Sequence, residues 1–271
     1  MLSIRPRTGG VRETYSVGVS HHFTINADMG EGIGLHRFGY DADLLPLVDL
    51  INVACGFHAG DPQVMRTTVA LAAEHGVRVG AHPGLPDLVG FGRRRMALTP
   101  EEVDDLFTYQ VGALYGFLER RGLPLSHIKP HGALWGMLAD DPDLMRAAAR
   151  ATKAFGVPFL GLAGTAHESV CREQDVEFIP EMYVDMDYDA RARLILTRAA
   201  HETDPAAAAA RVSRALRGDT IDAADGTPVR LDFQTVCVHS DGPSAVGVAR
   251  AVREVIDDHH RSIPSPEGDN A

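Results

Sequence analysis

The chain has 271 residues, 45% of them hydrophobic, and a formal net charge of −11 at pH 7. That length and apolar share suffice to bury a large core in one domain, while the acidic balance argues against nucleic acid and anionic membrane as partners, since no basic surplus is left to neutralise phosphates. No apolar run approaches a bilayer span and the first residues lack the apolar segment of a secretory leader, so a cytoplasmic protein is expected.

Residues 1–22 show no clear periodicity and read as a flexible N-terminal extension. FTINADM is the first strand; a glycine loop and a short helix around DADLLPLV lead to the second, DLINVAC. A helix from Pro62 to His75 follows, stopped by Gly76. VRVGAHP is the third strand, and a long loop (84–98) runs to Thr99, an N-cap followed by Pro100 and glutamates in capping-box spacing. SHIKPHG is the fourth strand, ahead of a helical pair ending at AFG, and PFLGLAG is the fifth. A helix to about Gln174 and the sixth strand, VEFIPEMYVD, come next. DARARLILTRAAHE has no clear period, DPAAAAARVSRALRG is a helix capped by Asp204 and Pro205, and Asp225-Gly226 marks a hairpin. TVCVHSD is the last strand and PSAVGVARAVREVIDDHH the last helix, leaving 261–271 as a disordered tail. About seven strand-then-helix units predict a parallel sheet closed into a barrel across 23–260, with an open doubly wound sheet as the second choice. Cys55, Cys171 and Cys237, an odd count without a CxxC pair, are expected reduced and buried.

Titratable residues recur where the strands end. Asn26, Asp28 and Glu31 follow the first strand, His58 and Asp61 the second, His82 the third, and Lys129 and His131 the fourth; Glu181 and Asp185 close the sixth, His239 and Asp241 the last. In parallel α/β folds these ends meet on one ligand-binding face. Each residue alone has a plainer explanation: Asp61 before Pro62 is an N-cap, Asp241 a turn residue, and the loop run Arg93 to Arg95 solvated charge. Jointly they offer histidines for proton transfer near neutrality and a lysine to face a developing anion. A carboxylate with two histidines also suits a divalent metal, although HExxH is absent and the ligands would come from separate strands. There is no phosphate loop of the GxxxxGK[ST] type and no strand-to-helix GxGxxG.

NADMGE, NVACGFHAGDP, GAHPGLPDLVGFGRR, KPHGAL, IDAADGT and VCVHSDGP together resemble one family, from about Phe23 to His260. It is the LamB/YcsF lactam-utilisation family, which supplies the first of the three subunits of the ATP-hydrolysing bacterial 5-oxoprolinase. The resemblance implies a distorted (β/α)7 TIM-like barrel, similar to the glycoside hydrolase/deacetylase superfamily. It also implies hydrolysis of 5-oxo-L-proline to L-glutamate, coupled to ATP with Mg2+ and performed with partner subunits B and C. Carried over by motif, Asp28, His58, Lys129 and His131 are the expected catalytic residues, with Asp28 and either His58 or His131 handling protons. Asn26, Glu31, Asp61, His82, Arg93, Glu181, Asp185, His239 and Asp241 are expected to bind substrate.

The chain departs from the family pattern after the sixth strand, where EMYVDMDY keeps Glu181, Asp185 and Tyr188 but places Met186 at the position of an arginine, leaving Arg198 as a substitute. Ala27 for cysteine, Leu85 for tyrosine and Trp135-Gly136 for Tyr-Asn are smaller changes. Loss of an arginine that held a substrate carboxylate would cost about 2–3 kcal/mol. Another lactam or cyclic amide is therefore the alternative substrate. A metal-dependent amidase or deacetylase, a Schiff-base reaction at Lys129 and a non-catalytic scaffold are the competing readings, and a homo-oligomer is left open.

Overall fold

The computed structural model describes residues 22–196 and 202–263. Among these, eight strands alternate with helices: β1 (Thr24–Met29), α1 (Asp41–Leu44), β2 (Leu50–Ala54), α2 (Pro62–His75), β3 (Arg78–His82), α3 (Pro100–Glu119), α4 (Gly132–Asp140), α5 (Pro142–Phe155), β4 (Phe159–Gly161), α6 (Ala166–Glu173), β5 (Phe178–Tyr183), α7 (Pro205–Leu216), β6 (Ile221–Asp222), β7 (Pro228–Val229), β8 (Thr235–Cys237) and α8 (Ala245–Ser262). Six strands form a parallel sheet in the order β3-β2-β1-β8-β5-β4. The two edges are joined through Ile128, which pairs in parallel with Ala81 of β3 and with Phe159 of β4. Lys129 donates to the Ala81 carbonyl at 2.9 Å and Leu160 to that of Ile128 at 2.9 Å. The expected barrel of seven segments thus closes, and its distortion lies at this seam. The fourth segment, expected as a strand over 126–132, shrinks to a single paired residue because Pro130 has no N–H to continue the ladder.

Local chemistry sets the helix starts. Thr99 and Glu102 close a capping box on α3, Thr99 N donating to Glu102 at 2.7 Å and Glu102 N to Thr99 at 3.2 Å. Gly76 ends α2 at φ 68°, a left-handed turn that costs glycine nothing. β6 and β7 form the hairpin expected at Asp225-Gly226, while the described start of the irregular stretch after β5, up to residue 196, holds a turn in which Tyr188 pairs with Leu194. Arg198 and the two termini fall outside the described residues, apart from the end of α8, which runs to Ser262. All three cysteines are free and buried, and among the described residues no helix is long and apolar enough to cross a membrane.

Strand alternation divides the core in two. On β1, Ile25, Ala27 and Met29 join the apolar layer beneath the helices, so Asn26 and Asp28, one residue out of phase, point into the barrel. There they meet Asn52, His127, Lys129, Glu181 and Thr235, all at most 3% exposed. This part of the barrel is packed with polar side chains, which is tolerable only because they bond to one another.

Candidate active site

Lys129 is the centre of that polar layer. Its ammonium lies 3.0 Å from Asp28 Oδ1 and 2.9 Å from Glu181 Oε1, with Asn26 Oδ1 at 3.2 Å and Cys237 Sγ at 3.0 Å. Burial alone would strip the lysine of its proton, but the carboxylates of Asp28 and Glu181 hold its pKa well above the ordinary value. Asp28 mirrors this: burial opposes its charge, yet His82 and Lys129 keep it well below the usual carboxylate range. The Cys237 thiol is pushed well up by burial despite the lysine. The layer therefore holds a fixed ammonium and a fixed carboxylate, and neither behaves as a nucleophile or a strong base at neutral pH. A Schiff base at Lys129 would first require this proton to be removed, since it needs a neutral amine.

Asn52 and His127 brace this centre from below. Asn52 Nδ2 donates to Asn26 and to Asp28 at 2.8 Å each, and its carbonyl lies 2.6 Å from His127 Nε2. Burial, with Lys129 nearby, pushes the His127 pKa down to about 3, so the ring is a neutral donor to Asn52.

Above Lys129 opens a cavity of about 280 Å³. Eight of the expected residues reach it: Asp28, His82, Arg93, Lys129, His131, Asp185, His239 and Asp241. Its remaining wall is largely apolar, with Trp135, Met186, Leu194, Leu196 and Val248, a mixture typical of small-ligand pockets. His239 stands on this wall as a paired histidine. Burial disfavours its charge, but Asp185, 2.9 Å from Nδ1, and Asp28, 3.6 Å from Nε2, raise its pKa to about 9. Arg93 pairs with Asp241 at 3.0 Å and lies over the Phe91 ring; Arg95, also on the wall, pairs with Asp140.

The other expected residues lie elsewhere. Asn26 and Glu181 belong to the buried layer around Lys129. His58 and Glu31 stand behind the cavity wall, paired at 3.4 Å; burial and the neighbouring histidines depress the His58 and His131 pKa values, and burial beside Asp28 and Asp241 raises that of Glu31. Proton transfer from His58 to a ligand is therefore corrected: the ring is fully buried and does not reach the cavity. Asp61 is corrected too, because its carboxylate is spent on the backbone. It accepts from Gln63 N at 2.7 Å and Val64 N at 2.9 Å to cap α2, and from Gly34 N at 2.6 Å. Asn52, His127 and Tyr183, whose ring lines the cavity 5.1 Å from Lys129 Nζ, escaped the strand-end reading. Asn52 had one signal, an amide in the otherwise apolar LINVA, where a buried polar group demands a partner.

Two groups of side chains converge as metal ligands do: Glu31, His58, His82 and His131, and separately Asp28, Cys237 and His239. In the second the lysine ammonium already bonds to both Asp28 and Cys237, and a second cation there would face its repulsion.

The model of the LamB/YcsF family matches residues 23–269. The chain is 45% identical to the A subunit of 5-oxoprolinase from Chromohalobacter salexigens, over 86% of this chain and 96% of that one. To the lactam utilization protein lamB of Emericella nidulans it is 42% identical, over 88% and 95%. The crystal structure of a lactam utilization protein from Thermus thermophilus superposes with a TM-score of 0.82 at 43% identity, covering 88% of this chain and 97% of the other.

Proposed function

The chain belongs to the LamB/YcsF family, and from that premise we propose that it is the A subunit of an ATP-dependent 5-oxoprolinase, opening the lactam of 5-oxo-L-proline to L-glutamate with partner subunits B and C. The observation that carries the reading at the level of chemistry is the buried Lys129 ammonium at the floor of a small, half-apolar cavity. An unstrained lactam is a poor electrophile. Transfer of the ATP γ-phosphoryl group, with Mg2+, to the lactam oxygen activates the carbon; one water adds there and the C–N bond breaks to leave an acyl phosphate, from which a second water displaces phosphate through the former lactam oxygen.

Lys129 is placed to stabilise the negative charge that collects on this oxygen. Its three N–H donors meet four acceptors, of which the Cys237 thiol is the weakest, so that contact yields to a substrate oxygen. His239, protonated at neutral pH, gives its proton to the ring nitrogen as the C–N bond breaks and recovers one from the attacking water. Asp28 and Asp185 hold His239 charged and oriented. One ATP and two waters are consumed for each glutamate, ADP and phosphate released. The test is release of glutamate and ADP in equal amounts from 5-oxo-L-proline, ATP and Mg2+ by this chain with subunits B and C, and none when the chain is omitted. Equal turnover without the chain refutes the reading.

Met186 favours a second reading, a related lactam without the carboxylate. It lies on the cavity wall, while Arg93 and Arg95 are engaged by Asp241 and Asp140. Competition between 5-oxo-L-proline and 2-pyrrolidinone, the same ring lacking that carboxylate, decides between the two.

A further inference from the structure

Behind the cavity wall, four consecutive barrel segments each send one side chain to a common point. Glu31 follows β1, His58 follows β2, His82 ends β3 and His131 follows the Ile128 segment. All four are buried, at 6% exposure or less, and one donor atom of each lies within 4.8 Å of the others. We propose that these residues bind one divalent transition-metal ion, with zinc the best fit to three imidazoles and a carboxylate.

The hydrogen bonds of the rings favour a positive charge between them. His82 Nδ1 lies 2.7 Å from the Lys129 carbonyl, and His131 Nε2 lies 2.8 Å from the Phe91 carbonyl. A carbonyl only accepts, so these nitrogens carry the ring protons. With both rings neutral, His82 Nε2 and His131 Nδ1 would then be lone pairs facing each other at 3.0 Å, a contact that either a metal ion or an added proton on His82 relieves. Asp28 Oδ2, another acceptor, is 3.2 Å from the same His82 nitrogen. A cation turns this repulsion into attraction, and carbonyls that fix the outer ring nitrogens are the usual support of metal-bound histidines.

His58 and Glu31 supply an independent sign. Neither nitrogen of the fully buried His58 ring makes a hydrogen bond, and neither does Glu31 Oε1, whose 3.4 Å contact with His58 Nε2 is the one close approach between them. Buried polar atoms are rarely left so. His58 stacks on His131 with ring centroids 3.8 Å apart and planes 2° from parallel, so one of the two rings turns out of the stack when both ligate the ion, since an imidazole nitrogen binds in its ring plane. The spacing fits as well. Ligand bonds of about 2.0–2.2 Å in a tetrahedron set the donors roughly 3.3–3.6 Å apart. Three of the six separations are 3.0 Å for His82 to His131, 3.4 Å for His58 to Glu31 and 3.6 Å for His131 to Glu31, and all six lie within 4.8 Å, so small side-chain shifts bring the set to ligand spacing. The ion would tie four segments together at the barrel mouth and fix the two rings, His82 and His131, that face the cavity.

This inference stands apart from the lactam reading and is tested without substrate, ATP or partner. The full chain is purified, stripped with a chelator, re-exposed to zinc and assayed for bound metal; cobalt(II) replaces zinc for absorption spectroscopy. The expected result is ~1 zinc per chain and the intense visible band of tetrahedral cobalt, with a Tm that falls on stripping and recovers with zinc. His58→Gln and Glu31→Gln are expected to lose the metal and the Tm response, while His75→Gln, on the exposed end of α2, keeps both. Wild-type chain that stays metal-free in excess zinc, with no cobalt band and no Tm change, overturns the proposal and leaves a proton shared between His82 and His131 as the explanation. Because the decisive measurement is made on the wild type, a variant that fails to fold does not obscure it.

Discussion

Replacing Lys129 by methionine keeps the length of the side chain and removes only its charge and donors. In the native protein the ammonium sits 3.0 Å from Asp28 and 2.9 Å from Glu181, 1% exposed. Methionine strands both carboxylates in a water-free layer, and removing one partner of a buried ion pair costs about 3–5 kcal/mol. For a chain of this size that lowers Tm by roughly 6–20 °C. Asp28→Asn introduced into the same variant discharges one stranded carboxylate, so the double variant is expected to recover about 1–3 kcal/mol relative to the sum of the single changes. Urea unfolding of the four proteins measures the cycle. Additivity within about 0.5 kcal/mol would refute the reasoning, because it would mean that Lys129 and Asp28 do not depend on each other's charge. In the ring-opening assay Lys129→Met at a temperature where it remains folded should lose ~10²–10³-fold in kcat, the usual loss when an oxyanion stabiliser is removed.

The His239–Asp185 pair makes stability depend on alkali. A folded pKa of about 9 against the ordinary 6.5 means that the contribution is complete below about pH 6.5 and disappears as pH rises through about 9. The stability gap between wild type and Asp185→Asn should therefore narrow across that window, and the histidine NMR titration of Asp185→Asn should shift toward the ordinary value; an unchanged gap would contradict the pairing. Asp61→Ala should cost about 0.5–2 kcal/mol as a lost N-cap with turnover retained, and a large loss of turnover in a stable Asp61→Ala protein would return Asp61 to the site. At Gly80, a Cβ would collide with the His127 ring, which its bond to Asn52 holds in place; Gly80→Ala should cost ~1–3 kcal/mol or more by chemical denaturation. A neutral Gly80→Ala would show that the ring is free to move.

The strand-end pattern was enough to place most of the cavity, because a parallel barrel collects the C-terminal ends of its strands whatever their exact length. Asp28, Lys129, His131 and His239 were legible for that reason. Depth was not legible. Whether a residue faces the cavity or stands behind its wall depends on where each strand stops, and His58, four residues beyond β2, turns inward behind Phe91 and His131. The roles of Asn52 and His127 were hidden for a related reason. They meet only because the Ile128 segment closes the ring against β3, a pairing 47 residues apart in the case of Ala81 and Ile128. Asp61 was ambiguous in the sequence, since an N-cap and a ligand contact ask for the same carboxylate at the same turn, and two backbone N–H groups within three residues settled it.

The most direct test of the central claim is a crystal structure of the chain assembled with subunits B and C and soaked with 5-oxo-L-proline. The account predicts the lactam oxygen within about 3 Å of Lys129 Nζ, at hydrogen-bond distance, with the ring against the apolar wall formed by Trp135 and Leu194 and the ring nitrogen facing His239. Substrate bound elsewhere, with this cavity filled only by solvent in a complex that turns over, would contradict it.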